Sequence, residues 1–449
     1  MSVINWIVNL GPSVVVPVLI FILALILGEK PGRAFRSGLT VGIGFIGINL
    51  VIGLLVNNLG PAAQDMVHRI GIHLDIIDVG WPATSAIAFG SHVGSLAIPI
   101  GLVVNILMLV FGLTKTFDID LWNYWHIAFT GALVSILTNS FLNGVITAGV
   151  HMIILLVIAD KSAIWVEKYY GYPNITFPHG TSIPYYLIGL PLKWLFDRIP
   201  GVRSWKADSE TLQKKLGLLG DSNILALILG IIIGILAGYD VTKTLQLGVS
   251  LAAVMMLLPR TVSILMEGLI PVSEVAGEFV RKRFPGRDFY IGMDSAIAVG
   301  DQANISSSLI LVPITLILAV ILPGNRVLPF GDLATIPFIV ALLVPIFRGN
   351  VIQTVLAGAI SIGIGLYIAT WVSPLFTIAA KQSGFKFPDG ASSISSLVDG
   401  ANPMTLILLL LAKIGIIGIV LLGIFTLVIA WLSKRKQQKT NGLNGSIPS

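Results

Sequence analysis

Long apolar blocks separated by short polar breaks dominate the chain. They lie near 12–28, 37–57, 95–114, 122–138, 142–160, 223–238, 244–260, 306–322, 333–347, 351–371 and 403–432. A transmembrane helix needs about 20 mostly apolar residues. The pattern therefore predicts an all-α integral membrane protein with about eleven transmembrane helices. The block near 12–28 follows a short uncharged stretch with neither the basic region nor the cleavage site of a signal peptide, so it is read as a retained helix.

Two stretches, 78–94 and 291–307, are too polar and too broken to span. The first carries Asp78, Gly80, Trp81, Pro82, Thr84, Ser85, Gly90 and His92; the second carries Asp294, Ser295, Gly300, Asp301, Gln302, Asn304 and Ser306. Irregular backbone at membrane depth is tolerated only where protein buries it or a water-filled cavity borders it. Both stretches are read as re-entrant hairpins whose free helix ends can hold a polyhydroxylated ligand; the plainer alternative is an interfacial loop. Two further turns, Phe177-Pro178-His179-Gly180 and Phe387-Pro388-Asp389-Gly390, present a polar residue behind a proline. His179 and Asp389 suit a sugar hydroxyl, or simply face solvent. Asn123 and His126 sit one helical turn apart, on one face, at the start of a span. Trp122 and Trp125 beside them form a stacking platform or an interfacial belt. His151 and Lys413 fall inside spans, where a pairing or snorkelling role is the commoner one.

Several of these stretches recur at one offset. Ser85-Ala86-Ile87-Ala88 matches Ser295-Ala296-Ile297-Ala298, Gly28 matches Gly238, and the two Phe-Pro-x-Gly turns match, each 210 residues apart. Transporters are often built from such duplicated units. Five spans precede the middle polar segment, an odd number, so the second copy enters the membrane from the other side and the repeats are inverted. The division expected is 1–190 for the first repeat, 191–222 for a cytoplasmic amphipathic linker, 223–432 for the second repeat and 433–449 for a polar tail.

Composition narrows the class. Of 449 residues 55% are apolar and 11% charged, with a mean hydropathy of +0.91. Soluble domains average about 25% charged residues, so a soluble enzyme and a nucleic-acid partner are excluded and membrane lipid is the surrounding medium. With the N-terminus outside and the C-terminus cytoplasmic, 22 of the 28 Lys and Arg lie on the cytoplasmic side, the sense the positive-inside rule favours. The basic loop at 281–287 enforces that orientation or docks a cytosolic partner. Cysteine is absent, which excludes disulfides, thiolate metal sites and a phosphocysteine on this chain. There is no Walker loop, zincin motif or nucleophile elbow. No catalytic residue, cofactor or metal is expected.

The sequence resembles the membrane-embedded IIC component of the galactitol-type phosphoenolpyruvate-dependent sugar phosphotransferase system. The strings that carry the likeness include Asp78-Val79-Gly80-Trp81-Pro82, Trp122-Asn123 with His126, Pro178-His179-Gly180-Thr181-Ser182, Gly234-Ile235-Leu236-Ala237-Gly238-Tyr239-Asp240-Val241 and Val327-Leu328-Pro329-Phe330-Gly331-Asp332-Leu333. They extend over roughly 1–432. The resemblance implies a relative of the ascorbate IIC proteins in a bacterial cytoplasmic membrane: a homodimer with a dimer-forming scaffold and an elevator-type core. It implies a substrate phosphorylated by a separate IIB subunit bearing a phosphocysteine, itself supplied by a IIA subunit, which agrees with the missing cysteine. It also implies ligand-binding roles for His126, His179 and Asp301. Asp301 departs from the histidine of galactitol relatives, leaving another hexitol, a pentitol or a related sugar open. The rival reading is a proton- or sodium-coupled secondary transporter using Asp294, Asp301 or His126. The full set of substrate-binding candidates is Trp81, Ser85, Asn123, His126, His179, Asp294, Asp301, Gln302 and Asp389.

Overall fold

The computed structural model describes residues 12–70, 74–204, 222–283, 289–299, 301–385, 387 and 392–444. Helices dominate. The first half runs α1 (Pro12–Ile26), α2 (Pro31–Ile70), β1 (Ile76–Asp78), α3 (Gly80–Gly90), α4 (Ala97–Val110), β2 (Thr116–Asp118), α5 (Trp125–Thr138), α6 (Phe141–Tyr170), β3 (Ile175–Thr176), α7 (Ile183–Phe196) and α8 (Pro200–Ser204). The second runs α9 (Ser222–Ala237), α10 (Val241–Arg283), β4 (Tyr290–Gly292), α11 (Ala296–Val299), α12 (Gln302–Ile321), β5 (Val327–Leu328), α13 (Ile336–Val340), α14 (Leu343–Ile346), α15 (Val351–Gln382), β6 (Ser393–Ser395), α16 (Pro403–Ile414) and α17 (Ile416–Asn444).

Among the described residues three helices are long and apolar enough to cross a membrane: Phe141–Tyr170, Val351–Gln382 and Ile416–Arg435. A fourth candidate is the pair Gly80–Gly90 and Gly94–Val110, bent by 85° at its break, the geometry of a broken span or a re-entrant loop. Exposed Ile417, Leu421 and Phe425 on α17 face where lipid would lie. Helices α1, α2, α9 and α10 pack on one another. The apolar block at 403–432 is not one helix: Gly415, at φ +134°, breaks it into α16 and α17, a backbone that a Cβ would strain. The block at 333–347 is likewise split into α13 and α14. Lys413 is at the exposed last turn of α16, 4.3 Å above the Trp371 ring, where a cation offsets the helix dipole. His151 is fully buried, its Nδ1 2.9 Å from Thr130 Oγ1.

An all-α fold needs amending, because two small parallel sheets tie distant parts of the chain. In one, β1 lies between β5 and β6; in the other, β4 lies between β2 and β3. Each centre strand thus comes from one half of the chain and both its neighbours from the other. Strands of two or three residues are stable only when buried in such company. Helix starts also keep the 210-residue spacing, as with Pro12 and Ser222, Pro31 and Val241, and Phe141 and Val351. Even the caps correspond. Ser140 accepts from the Asn143 backbone N–H and Asn350 from that of Gln353, at 3.3 Å in both cases. Replacing either cap by alanine is expected to cost about 1 kcal/mol. Thermal unfolding in detergent should show small losses that add in the double variant.

Candidate substrate-binding site

The two sheets aim short loops at one place. Beyond β1, Asp78 accepts from the Gly80 N–H at 3.0 Å, turning the chain into α3, and its other oxygen accepts from the Asp332 N–H at 2.9 Å. Asp332 returns the bond, its Oδ1 accepting from the Trp81 N–H at 2.6 Å. Its Oδ2 accepts from Ser396 Oγ at 2.6 Å and from the Val398 N–H at 3.2 Å. One buried carboxylate therefore fastens Trp81 of the first half to Val398, which follows β6. Beyond β2, the Asp120 N–H bonds Asp118 Oδ1 at 3.1 Å, and Asn123 Nδ2 donates to Asp120 Oδ2. This fixes the Trp122-Asn123 turn that leads into α5.

Beyond β3 comes the His179 turn. His179 Nδ1 accepts from the Thr181 N–H at 3.2 Å, so in the neutral ring the proton sits on Nε2, which lies 3.3 Å from Asp294 Oδ1. That oxygen also takes the Ala296 N–H at 2.9 Å, while Oδ2 has no partner among the described residues. The His179 ring stacks on Phe338 at 5.7 Å and meets the His126 ring edge-on at 5.1 Å.

These loops enclose a cavity of about 350 Å³, its mouth included, lined by Trp81, Trp122, Asn123, Trp125, His179, Thr181, Asp294, Thr335, Phe338 and Val398. Trp81 and Trp122 stand edge to face with ring centroids 6.1 Å apart. No Lys or Arg lines the cavity, and no group of three or more His, Cys, Asp or Glu able to hold a metal occurs among the described residues. Apolar faces with a few fixed polar atoms are the usual make-up of a small-molecule site. Here the polar atoms include a carboxylate oxygen and a threonine hydroxyl, suited to an uncharged ligand rich in hydroxyl donors.

Of the candidates read from the sequence, Trp81, Asn123, His179 and Asp294 line this cavity. His126 does not; it is fully buried behind Thr181, with Nε2 3.5 Å from the Thr181 hydroxyl. Ser85 is buried in α3 and donates to the Pro82 carbonyl at 2.8 Å. Asp301 caps α12, accepting from the Asn304 N–H at 3.0 Å and from the Tyr169 hydroxyl at 3.4 Å. Gln302 opens α12, and its side chain, like the whole of Asp389, lies outside the described residues. The sequence reading missed Thr181, Thr335, Phe338 and Val398 as lining, and Asp332 as the tie behind them.

Apolar spanning helices around an acceptor-rich, aromatic cavity define a membrane protein that handles a small polar solute. The chain belongs to the family described as PTS system sugar-specific permease component, which matches residues 6–390. It is therefore the membrane-embedded sugar-transport component of a phosphotransferase system. It is similar to the PTS system galactitol-specific EIIC component of Escherichia coli (strain K12), 39% identical over 97% of this chain and 96% of the relative. The protein of the same name from Escherichia coli O157:H7 matches equally, at 39% over the same shares.

Proposed function

We propose that this chain imports galactitol, or a polyol closely like it, and releases it on the cytoplasmic side to a separate IIB subunit whose phosphocysteine, charged by IIA, phosphorylates it. The observation that carries the reading is the cavity: tryptophan rings, Asp294 with a carboxylate oxygen bonded to none of the described residues, and no Lys or Arg among the described lining residues. The names of the relatives supply the choice of galactitol. Asp301 does not argue against it, since its carboxylate is engaged in capping α12.

The chain is proposed to comprise two inverted repeats of about eleven spans, divided near 190 and 223, with the N-terminus outside and the C-terminus cytoplasmic. In support, exchanging β1 with β4, β2 with β5 and β3 with β6 turns one sheet into the other. The packed group α1, α2, α9 and α10 would be the scaffold of a homodimer, and the hairpins, sheets and cavity the core that moves past it.

Uptake by inside-out or right-side-out vesicles decides the energy source. Accumulation of galactitol phosphate is expected only with phosphoenolpyruvate and the soluble subunits. Accumulation of free galactitol on a proton or sodium gradient alone would overturn the phosphotransferase reading. Galactitol should also quench the fluorescence of the cavity tryptophans. Trp122→Ala is expected to weaken its binding about tenfold, a loss of roughly 1.4 kcal/mol of stacking area.

A further inference from the structure

We propose that Asp399, a residue outside the cavity, is a positioning residue for polyol binding: it holds the His126 ring in one tautomer and thereby turns the Thr181 hydroxyl into an acceptor facing the ligand. The inference rests on the polyol reading above. Asp399 and His126 are both fully buried, and His126 Nδ1 is 3.0 Å from each carboxylate oxygen. An ionised carboxylate facing a ring nitrogen with both oxygens accepts, so Nδ1 then carries the proton and Nε2 is left with its lone pair. The atom beyond Nε2 is Thr181 Oγ1, at 3.5 Å. Its hydrogen is directed back to Nε2, and its lone pairs are left for the cavity that Thr181 lines.

The neighbouring histidine carries its proton on the other nitrogen. His179 Nδ1 accepts from the backbone, so its Nε2–H points to Asp294. Two histidines 5.1 Å apart thus hold opposite tautomers, each turned toward a carboxylate. Both leave acceptors toward the ligand: Thr181 Oγ1 and the free oxygen of Asp294. A hydroxyl-rich ligand satisfies such a site, whereas an anionic group would meet only acceptors.

The local structure is built to keep Asp399 in place. β6, Asp399-Gly400 and the N-cap Asn402 precede α16, as β3, His179-Gly180 and Ser182 precede α7. Asn402 caps through its Oδ1, accepting from the Met404 N–H at 2.8 Å, and its Nδ2 donates to the Gly180 carbonyl at 3.0 Å. Gly180 lies so close to the His126 ring that a Cβ there would collide with it. The two turns therefore grip His126 from both sides, and Asp399, in the position that matches His179, supplies the only carboxylate bonded to its ring among the described residues.

The test uses the full chain in lipid nanodiscs with ¹⁵N-labelled histidine and no ligand, the His126 signals being assigned by their loss in His126→Gln. The wild type is expected to show the Nδ1–H tautomer at His126. In Asp399→Asn one of the two facing atoms becomes a donor, so a large Nε2–H population should appear. Galactitol affinity by calorimetry should fall about 10- to 100-fold in Asp399→Asn, the range for losing a hydrogen bond to a charged group. Starting from His126→Gln, the same change should cost less than about threefold, because the route through the ring is already gone. An Nε2–H tautomer in the wild type, or equal affinity losses in both backgrounds, would overturn the proposal. Should Asp399→Asn fail to fold, the wild-type tautomer decides alone. Absence of any galactitol binding by the wild type would instead refute the polyol reading, and the ligand-free tautomer would still decide whether Asp399 orients the ring.

Discussion

Asp294→Ala is expected to lower galactitol affinity by two orders of magnitude while leaving the fold intact. The carboxylate does two things at once. Through Oδ1 it receives His179 Nε2–H and the Ala296 N–H, and it lines the cavity with Oδ2 bonded to none of the described residues. Truncation removes a hydrogen bond from ligand to a charged acceptor, about 1.5–3 kcal/mol of affinity, and leaves the His179 donor without its partner, a cost that falls on stability rather than on binding. The upper end of the ligand loss reaches the 2.8 kcal/mol or so that corresponds to 100-fold. Asp294→Asn should lose less, about tenfold, because the amide oxygen can still accept from His179 while its NH₂ faces the ligand. Calorimetry on the purified chain measures both. Affinity within threefold of wild type for Asp294→Ala would remove this residue from the site. The effect should also exceed that of His179→Ala, whose loss leaves the carboxylate free to meet the polyol directly.

Much of this arrangement is legible in the sequence, and the parts that are not share a cause. The helices could be read because burial in lipid writes itself as long apolar runs, and the 210-residue offset survived because paired helices keep their length. The structure bends by 85° between Gly80–Gly90 and Gly94–Val110, and the polar break there, at 78–94, was readable. The strands were not, since two or three residues such as Ile175-Thr176 leave no periodicity. The second turn, whose residues 388–390 lie outside the described residues, shows that letters and element order can point to different places. Phe387-Pro388-Asp389-Gly390 repeats the letters of Phe177-Pro178-His179-Gly180, yet the order of strand, Gly turn, N-cap and helix puts Asp399-Gly400 in the matching place. The physical marker was a polar residue at the N-cap position ahead of a helix-opening proline, Ser182 before Pro184 and Asn402 before Pro403, of which only Asn402 caps with its side chain. Asp332 stood inside one of the strings that carried the family likeness. Nothing local marks it, because its partner Trp81 is 251 residues away.

That distance is why Asp332→Ala should be the most damaging single change to stability. The side chain is fully buried and accepts from three donors: the Trp81 N–H, the Ser396 hydroxyl and the Val398 N–H. Removing it strands the Trp81 N–H and the Ser396 hydroxyl at about 1–3 kcal/mol each, while the Val398 N–H keeps Ser396 Oγ at 3.1 Å, so a loss of roughly 2–6 kcal/mol is expected. The adjoining carboxyl of Asp78 keeps the Gly80 and Asp332 N–H donors but loses the Asp332 side chain it faces. Consequently Asp78→Ala should cost less, losing acceptors for only the Gly80 and Asp332 N–H groups. Asp332→Asn should fall between them: its oxygen can keep Trp81 and its amide can donate to Ser396 Oγ, but the Val398 N–H then faces another donor. Because Trp81 and Val398 both line the cavity, the damage reaches function as well as stability, and galactitol binding should be lost at temperatures where the protein is still folded. Unfolding of the purified chain followed by tryptophan fluorescence, with and without galactitol, separates the two effects. A melting curve for Asp332→Ala that overlays the wild type would mean that the two halves are held together at this point by the sheets alone.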